Sequence, residues 1–220
     1  DKAGNTVTSK RLGDAEGLRL TSYKGKPAAL VSFEQVNNVR RFLAEPDFAL
    51  SKSEVLKLPP TVSGMPANKG LETVAVAPAD SALAGAIVLI AERSLDKGRN
   101  RGWIIGGPLA GTFYLARDDD FDVTEAAVTP QGDLLILERS FSLLRGAGMR
   151  IRRVPLKNVK PGALIKGEVL FEADRNYLID NMEGLAVHTD ANGDTVLTIL
   201  SDDNFNPLQR ILLLQFTLSR

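Results

Sequence analysis

The sequence contains no cysteine, and it has only one histidine and one tryptophan among its 220 residues. The lack of cysteine excludes disulfides, thiolate zinc sites and a cysteine nucleophile. A Ser-His-Asp triad would have to use His188, which follows an apolar segment and precedes a turn, so that a surface or packing role is favoured. No G-x-S-x-G motif is present, and the sequence therefore offers no nucleophile elbow.

Long apolar segments and an excess of charge are also missing. The longest apolar run, residues 82–91, is much shorter than the roughly 20 residues that a membrane-spanning helix needs. Lys plus Arg and Asp plus Glu number 27 each, which argues against nucleic acid or an anionic membrane as a partner. With 44% hydrophobic and 25% charged residues, the composition is that of an ordinary globular protein.

What the sequence does contain is a repeat. One pattern recurs four times: an acidic residue, an apolar strand, a turn and a second apolar strand that ends in an acid. The leading glutamates are Glu16, Glu72, Glu125 and Glu183, spaced by 56, 53 and 58 residues. A period of about 50 residues built from short strands is typical of β-propeller blades. We predict an all-β propeller within one domain of residues 1–220, with blade-like units at about 14–68, 69–120, 121–179 and 180–220.

Further strands complete each predicted unit. Third strands are expected at residues 38–43, 102–105, 149–155 and 209–218, and outer strands around residues 54–58 and 167–172. Residues 51–58 could form a short helix instead. The second strands, such as residues 87–90 and 134–137, are apolar throughout, and we expect them to pack on both faces between neighbouring blades.

The repeated acids are expected to converge at one mouth of the propeller channel. The start of the first strand and the end of the second lie at the same end of an antiparallel pair. The predicted pairs are Glu16 with Glu34, Glu72 with Glu92, Glu125 with Glu138, and Glu183 with Asp202. Clustered carboxylates repel each other and need a cation or arginines nearby. In an alternative interpretation, each glutamate binds backbone amides of the next blade and only stabilises the repeat.

Calcium is the cation that suits such a cluster, because it takes about six to eight oxygen ligands. The predicted ligands are Asp202, Asp203, Asn204, Glu183 and Glu16. The extension formed by residues 202–204 is reproduced in no other unit. Arg93, Arg139 and Arg101 lie in or beside the loops at the predicted mouth, where they would either bind a phosphate or carboxylate of a ligand or pair with the acids.

Several segments resemble one bacterial family. They are residues 14–18, 70–72, 121–124, 133–139, 149–153, 180–188 and 201–205, the latter followed by Leu208-Gln-Arg210. These motifs are similar to those of proteins described as having esterase-like activity of phytase. The resemblance implies a propeller of six blades in exported, periplasmic or secreted proteins. It also implies about two further blades before residue 1, or a partner segment that closes the ring.

The sequence thus leads to three hypotheses about function. The first is a cation-dependent hydrolase of a small phosphoester or carboxylic ester, in which Glu183, Asp202 and Glu72 carry the chemistry and Glu16 and Glu92 complete the site. The second is a non-catalytic binding or scaffold propeller with structural acids. The third, by analogy of fold, is a calcium-dependent enzyme similar to lactonases.

Overall fold

Four β-sheets are arranged as the blades of a propeller. The computed structural model describes residues 8–9, 13–43, 52–118 and 120–218. Within these residues the sheets are antiparallel, apart from one short parallel pair, and the predicted all-β propeller with four blade-like repeats is confirmed. The parts of the predicted units at residues 44–51, 119 and 219–220 lie outside the described residues.

The first two blades follow the predicted order from inner to outer strand. Blade 1 comprises β1 (Ala15–Tyr23), β2 (Lys26–Phe33), β3 (Asn38–Leu43) and β4 (Ser53–Val55). Blade 2 comprises β5 (Ala75–Val76), β6 (Ile87–Ile90), β7 (Arg99–Ile105) and β8 (Gly111–Ala116). The sequence patterns did not indicate β8.

The last two blades have the same order. Blade 3 comprises β9 (Asp122–Val128), β10 (Asp133–Ser142), β11 (Gly146–Pro155) and β13 (Glu168–Ala173). Blade 4 comprises β14 (Met182–Thr189), β15 (Thr195–Ser201) and β16 (Leu213–Leu218). The short strand β12 (Leu164–Ile165) lies in the connection before β13, but it pairs in parallel with β8 and so ties blade 3 to blade 2.

The helical alternative for residues 51–58 is wrong over the described part of that segment, which contains β4. A helix does follow, as α1 (Pro60–Ser63), and Leu156–Asn158 form one 3₁₀ turn. Pro60 occupies the first turn of α1, where a helix does not use the backbone N–H that proline lacks.

The core lies between the blades. The side chains of Leu134–Leu137 in β10 and Val88–Ile90 in β6 are fully buried, as expected for strands packed on both faces. One apolar cluster joins blades 2 and 3, another joins blades 3 and 4, and a third joins blades 1 and 2.

Each inner strand has one residue more than its partner near the end where the glutamates lie. The residue pairs that flank the extra residue are Ala15–Phe33 and Leu18–Val31, Leu71–Ala91 and Ala75–Val88, Val123–Glu138 and Glu125–Leu137, and Met182–Ser201 and Gly184–Leu200. An extra residue bends a strand and turns its side chain away from the regular alternation. Glu16, Glu72 and Glu183 lie between the flanking pairs of blades 1, 2 and 4.

Among the described residues, no helix has the length and apolar character required to cross a bilayer.

Candidate functional site

A cavity of about 640 Å³ opens where the blades meet, and its described lining residues come from all four of them. Seven acidic side chains and a single basic one lie among its described lining residues. The acids are Asp14, Glu16, Glu34, Glu72, Glu92, Glu183 and Asp202, and the base is Arg139. We call this space the acidic cavity.

The strand ends account for this convergence. Glu16 and Glu183 lie in the irregular starts of β1 and β14, and Glu72 precedes β5. The other acids follow second strands: Glu34 comes directly after β2, Glu92 soon after β6 and Asp202 directly after β15. Three of the four predicted pairs therefore reach one cavity.

Two overlapping groups of three carboxylates are close enough to share a cation. In the first group, oxygens of Asp14, Glu16 and Glu34 all lie within 4.8 Å of one another, and in the second the same holds for Glu34, Glu72 and Glu92. Glu34 belongs to both groups, and its Oε1 accepts a hydrogen bond from the backbone N–H of Gly70 at 3.2 Å. Both Glu34 and Glu72 are buried.

Crowding of these acids disfavours their charged forms. Burial, followed by the charges of Glu16 and the other nearby glutamates, raises the pKa of Glu72 to about 10. Loss of solvation and then the charge of Asp14 raise the pKa of Glu16 to about 7. The pKa of Glu92 is also raised to about 7, mainly by burial and by Asp122, although Arg139 opposes this shift. The cluster thus holds protons near neutral pH unless a cation replaces them.

Arg139 is the basic side chain that contacts this cluster. Its Nε lies 3.0 Å from Oε1 of Glu183, and its Nη2 lies 3.6 Å from Oε1 of Glu92. Burial raises the pKa of Glu183, whereas Arg139 and a hydrogen bond from the side chain of Asn181 act against that rise. Arg139 therefore offsets negative charge on the side of the cavity where Glu183 lies. The group of Glu34, Glu72 and Glu92 still has more carboxylates than basic side chains.

The third unit does not deliver its acids to the cavity, so the prediction for Glu125 and Glu138 is wrong. The side chain of Glu138 is buried, and its Oε2 accepts hydrogen bonds from Arg150 Nε at 2.8 Å and Arg152 Nε at 2.7 Å. These arginines lie on β11, where Arg150 is the direct partner of Glu138. Glu125 is also buried and accepts a hydrogen bond from the N–H of Ala126 at 2.8 Å. The alternative, in which a glutamate binds backbone amides of another blade, fits Glu125, which is also hydrogen-bonded to the backbone of Val74 and Leu18, but it does not fit Glu138.

The acidic extension after β15 forms a turn. Oδ1 of Asp202 accepts a hydrogen bond from the N–H of Asn204 at 3.0 Å, and Oδ1 of Asp203 accepts one from the N–H of Phe205 at 2.9 Å. Asp202 and Asn204 line the acidic cavity, but Asp203 does not.

Of the five predicted metal ligands, only Glu16 falls in a close carboxylate group of the described residues. Glu34 and Glu92 belong to these groups but were not among the predicted ligands. The sequence contained a pattern that could have identified them as ligands, since each is the acid that ends a second strand.

The three predicted ligand-binding arginines are separated. Arg101 binds Asp96 through Nε at 3.1 Å and Nη2 at 2.9 Å, outside the acidic cavity. Arg93 pairs with Asp122 and lines, together with Arg139, a neighbouring cavity of about 400 Å³. Arg139 alone of the three reaches the acids. The exposed His188 lies toward the other end of β14 from Glu183 and lines none of these spaces.

One solved structure with a TM-score above 0.5 supports the fold. The α-L-arabinofuranosidase from Podospora anserina is 11% identical, and the match covers 97% of this chain and 67% of that one with a TM-score of 0.53. An α-L-arabinanase from Cellvibrio cellulosa is 12% identical, with 89% and 71% covered and a TM-score of 0.47. A protein of unknown function from Bacteroides caccae is 11% identical, with 92% and 60% covered and a TM-score of 0.43. The chain thus spans only 60% of the length of this last protein.

No curated protein gives a significant match to the sequence. The sequence model of one family does match, over residues 1–205, and its description is "Phytase-like: Esterase-like activity of phytase". Because this match covers most of the chain, the chain belongs to this phytase-like family.

Proposed function

We propose that this propeller is a cation-dependent hydrolase of small phosphoester or carboxylic ester substrates, with its site at the acidic cavity. The observation that carries the proposal is the group formed by Glu34, Glu72 and Glu92, which come from two blades and place carboxylate oxygens within 4.8 Å of one another. Membership of a phytase-like family supports a hydrolase.

The donor set fits calcium. Carboxylate oxygens are the ligands that calcium prefers, and a divalent ion would counter the burial and the repulsion that together raise the pKa of Glu72 to about 10. Glu34, Glu72, Glu92 and Glu16 would hold the ion, with Glu183 and Asp202 at the edge of the same cavity. When bound, the ion would supply a positive charge that polarises the ester oxygen and lowers the pKa of a bound water.

The remaining side chains would position the substrate and move protons. Arg139 would bind an anionic or carbonyl oxygen of the substrate, because its guanidinium lines the cavity beside the acids. Glu183, held by Arg139 and Asn181, would orient that guanidinium. Glu183, whose pKa burial raises and which is not among the proposed ion ligands, would also act as the general acid or base.

A non-catalytic propeller remains the second candidate, favoured by Glu125 and Glu138, whose carboxylates serve packing alone. A lactonase-like enzyme is a third proposal and would use the same cation and cavity. The family resemblance also supports a periplasmic or secreted location, and fractionation of cells that express the complete gene would test it.

Thermal melts with calcium and with a chelator test the cation. We expect calcium to raise the melting temperature, because a ligand that binds only the folded state stabilises it. The variants Glu34→Gln and Glu72→Gln should abolish that rise. Asp203→Asn is the matched control, since Asp203 does not line the cavity and should leave the rise unchanged. A melting temperature that calcium does not alter would refute the metal site.

Hydrolysis tests the activity. Phytate, p-nitrophenyl phosphate, p-nitrophenyl acetate and a simple lactone would be assayed with calcium present. We expect turnover of at least one ester that falls at least about a hundredfold in Glu72→Gln and Glu92→Gln. Calcium binding without turnover of any of these substrates would instead support the binding module.

A further inference from the structure

A second cavity adjoins the acidic cavity. It has a volume of about 520 Å³ and shares Arg139 and Asn204 with its neighbour. Phe141 and Leu208 supply large apolar side chains to its lining, and we call it the apolar cavity. A ligand bound at Arg139 therefore has room on two sides, one lined by acids and one where Phe141 and Leu208 stand among polar residues.

The apolar lining is unusually open to solvent. Phe141 is 70% exposed and Leu208 is 88% exposed. Arg139 and Phe141 are two residues apart on β10, so their side chains point to the same face of the strand. A phenyl ring thus lies on the same face of β10 as the guanidinium that contacts the acids, and both line this cavity.

The opposite wall is a structured loop between β15 and β16. The N–H of Leu208 donates to Oδ1 of Asn206 at 3.0 Å, and the N–H of Arg210 donates to Oδ2 of Asp180 at 3.1 Å. These bonds fix the backbone on both sides of Leu208. The wall of the cavity that carries Leu208 therefore has a hydrogen-bonded backbone.

Its polar groups complement an ester. Arg139, Asn181 and Asn204 carry N–H donors, which suit a carbonyl or phosphoryl oxygen. Binding sites for small molecules combine a few such polar groups with apolar walls. A substrate that is polar all round, such as an inositol polyphosphate, would leave Phe141 and Leu208 in contact with charged groups.

We propose that the apolar cavity binds the hydrophobic part of the substrate, so that the preferred substrate is an ester with a bulky aryl or alkyl group. The inference rests on the proposed function, because it assigns the reacting ester group to Arg139 and the acidic cavity. It narrows the substrate class from any ester to amphiphilic ones.

Binding of two matched ligands tests this subsite without any need for turnover. Titration calorimetry with calcium present would compare 1-naphthyl phosphate with methyl phosphate, which share the anionic group and differ in the apolar one. We expect 1-naphthyl phosphate to bind at least about tenfold more tightly, because it buries an aromatic surface against Phe141 and Leu208. In the double variant Phe141→Ala, Leu208→Ala this preference should disappear.

Two further variants make the test specific. Leu143→Ala is the control, because Leu143 is 95% exposed and lines neither cavity, and it should keep the full preference. Arg139→Gln should weaken both ligands alike. Equal binding of the two ligands, or a preference that survives the double variant, would overturn the subsite. If 1-naphthyl phosphate binds more tightly but no ester is hydrolysed, the result counts against the proposed hydrolase and not against the subsite.

Discussion

The residues of the acidic cavity show how position changes the chemistry of identical side chains. Glu72 and Glu138 are both buried glutamates, but Glu138 faces two guanidinium groups whereas Glu72 faces other carboxylates. Guanidinium groups compensate the charge of a buried carboxylate, whereas burial among like charges favours protonation. Glu138 therefore serves packing, and Glu72 is available to a cation.

The raised pKa values predict how stability depends on pH in the absence of a cation. Folding raises the pKa of Glu16 and Glu92 from 4.5 to about 7 and that of Glu72 to about 10. The folded state then binds more protons than the unfolded state above pH 4.5. We expect the free energy of unfolding to fall as the pH rises from 5 to 9, measured by urea denaturation with a chelator present.

A variant isolates the contribution of Glu72. Glutamine resembles the protonated acid, so Glu72→Gln should flatten the pH dependence while leaving stability near pH 5 almost unchanged. Calcium should flatten the dependence in the wild-type protein. Identical pH profiles for wild type and variant would contradict the assigned protonation.

At the scale of elements, the start of each inner strand decides where a glutamate points. Blades 1 and 4 share the motif Glu-Gly-Leu at this position, as Glu16-Gly17-Leu18 and Glu183-Gly184-Leu185. Gly17 is packed against blade 2, and its N–H donates to Oγ of Ser32, which in turn donates to the carbonyl of Glu72. Gly184 has a looser environment, although the motif is the same.

The two glycines give a matched pair of substitutions. A Cβ atom at residue 17 would lie 2.7 Å from the carbonyl oxygen of Glu72 and 2.9 Å from the backbone N of Val74, whereas at residue 184 the nearest atom is Leu200 Cβ at 3.3 Å. We expect Gly17→Ala to lower the free energy of unfolding by about 1–3 kcal/mol, and Gly184→Ala to cost clearly less. Denaturant melts of both variants check this, and equal losses would contradict close packing of blade 1 on blade 2.

At the scale of the whole molecule, one arginine links the blades near the channel axis. Arg19 of β1 donates through Nη2 to the carbonyls of Ala126 at 3.0 Å and Leu185 at 3.2 Å, in blades 3 and 4. Its charge also opposes the rise in the pKa of Glu125, which burial raises to about 8. The centre of the propeller is therefore polar and is held by one side chain that reaches several blades.

Loss of that arginine should weaken the entire propeller. Arg19→Met leaves carbonyls of two blades without their donor and Glu125 without its nearby cation, and we expect a loss of about 3 kcal/mol in the free energy of unfolding. Arg145→Met is the control, because Arg145 pairs with Asp120 at the surface with 72% of its side chain exposed, and it should cost less than about 1 kcal/mol. Similar losses in the two variants would contradict a central role for Arg19.

The sequence by itself determined the blades. The spacing of its glutamates and its wholly apolar second strands were sufficient to predict an all-β propeller, because strand period and burial are local properties of a repeat. Family membership was also visible in short motifs. The outer strand β8 and the short strand β12 were missed. β12 is defined by its parallel pairing with β8, which lies far from it in the chain, whereas β8 pairs with its sequence neighbour β7.

Only the tertiary structure decided which acids meet. Glu138 has the same position in its unit as Glu34 and Glu92, yet it is withdrawn from the cavity because β11 places Arg150 and Arg152 beside it. Arg93 and Arg101 pair with Asp122 and Asp96, two acids that do not line the acidic cavity. Of the three predicted arginines, Arg139 is therefore the one that contacts the acids of the cavity. A carboxylate's role depends on the charges that the tertiary structure brings near it, which are two arginines of the same blade for Glu138 and glutamates mostly of other blades for Glu72.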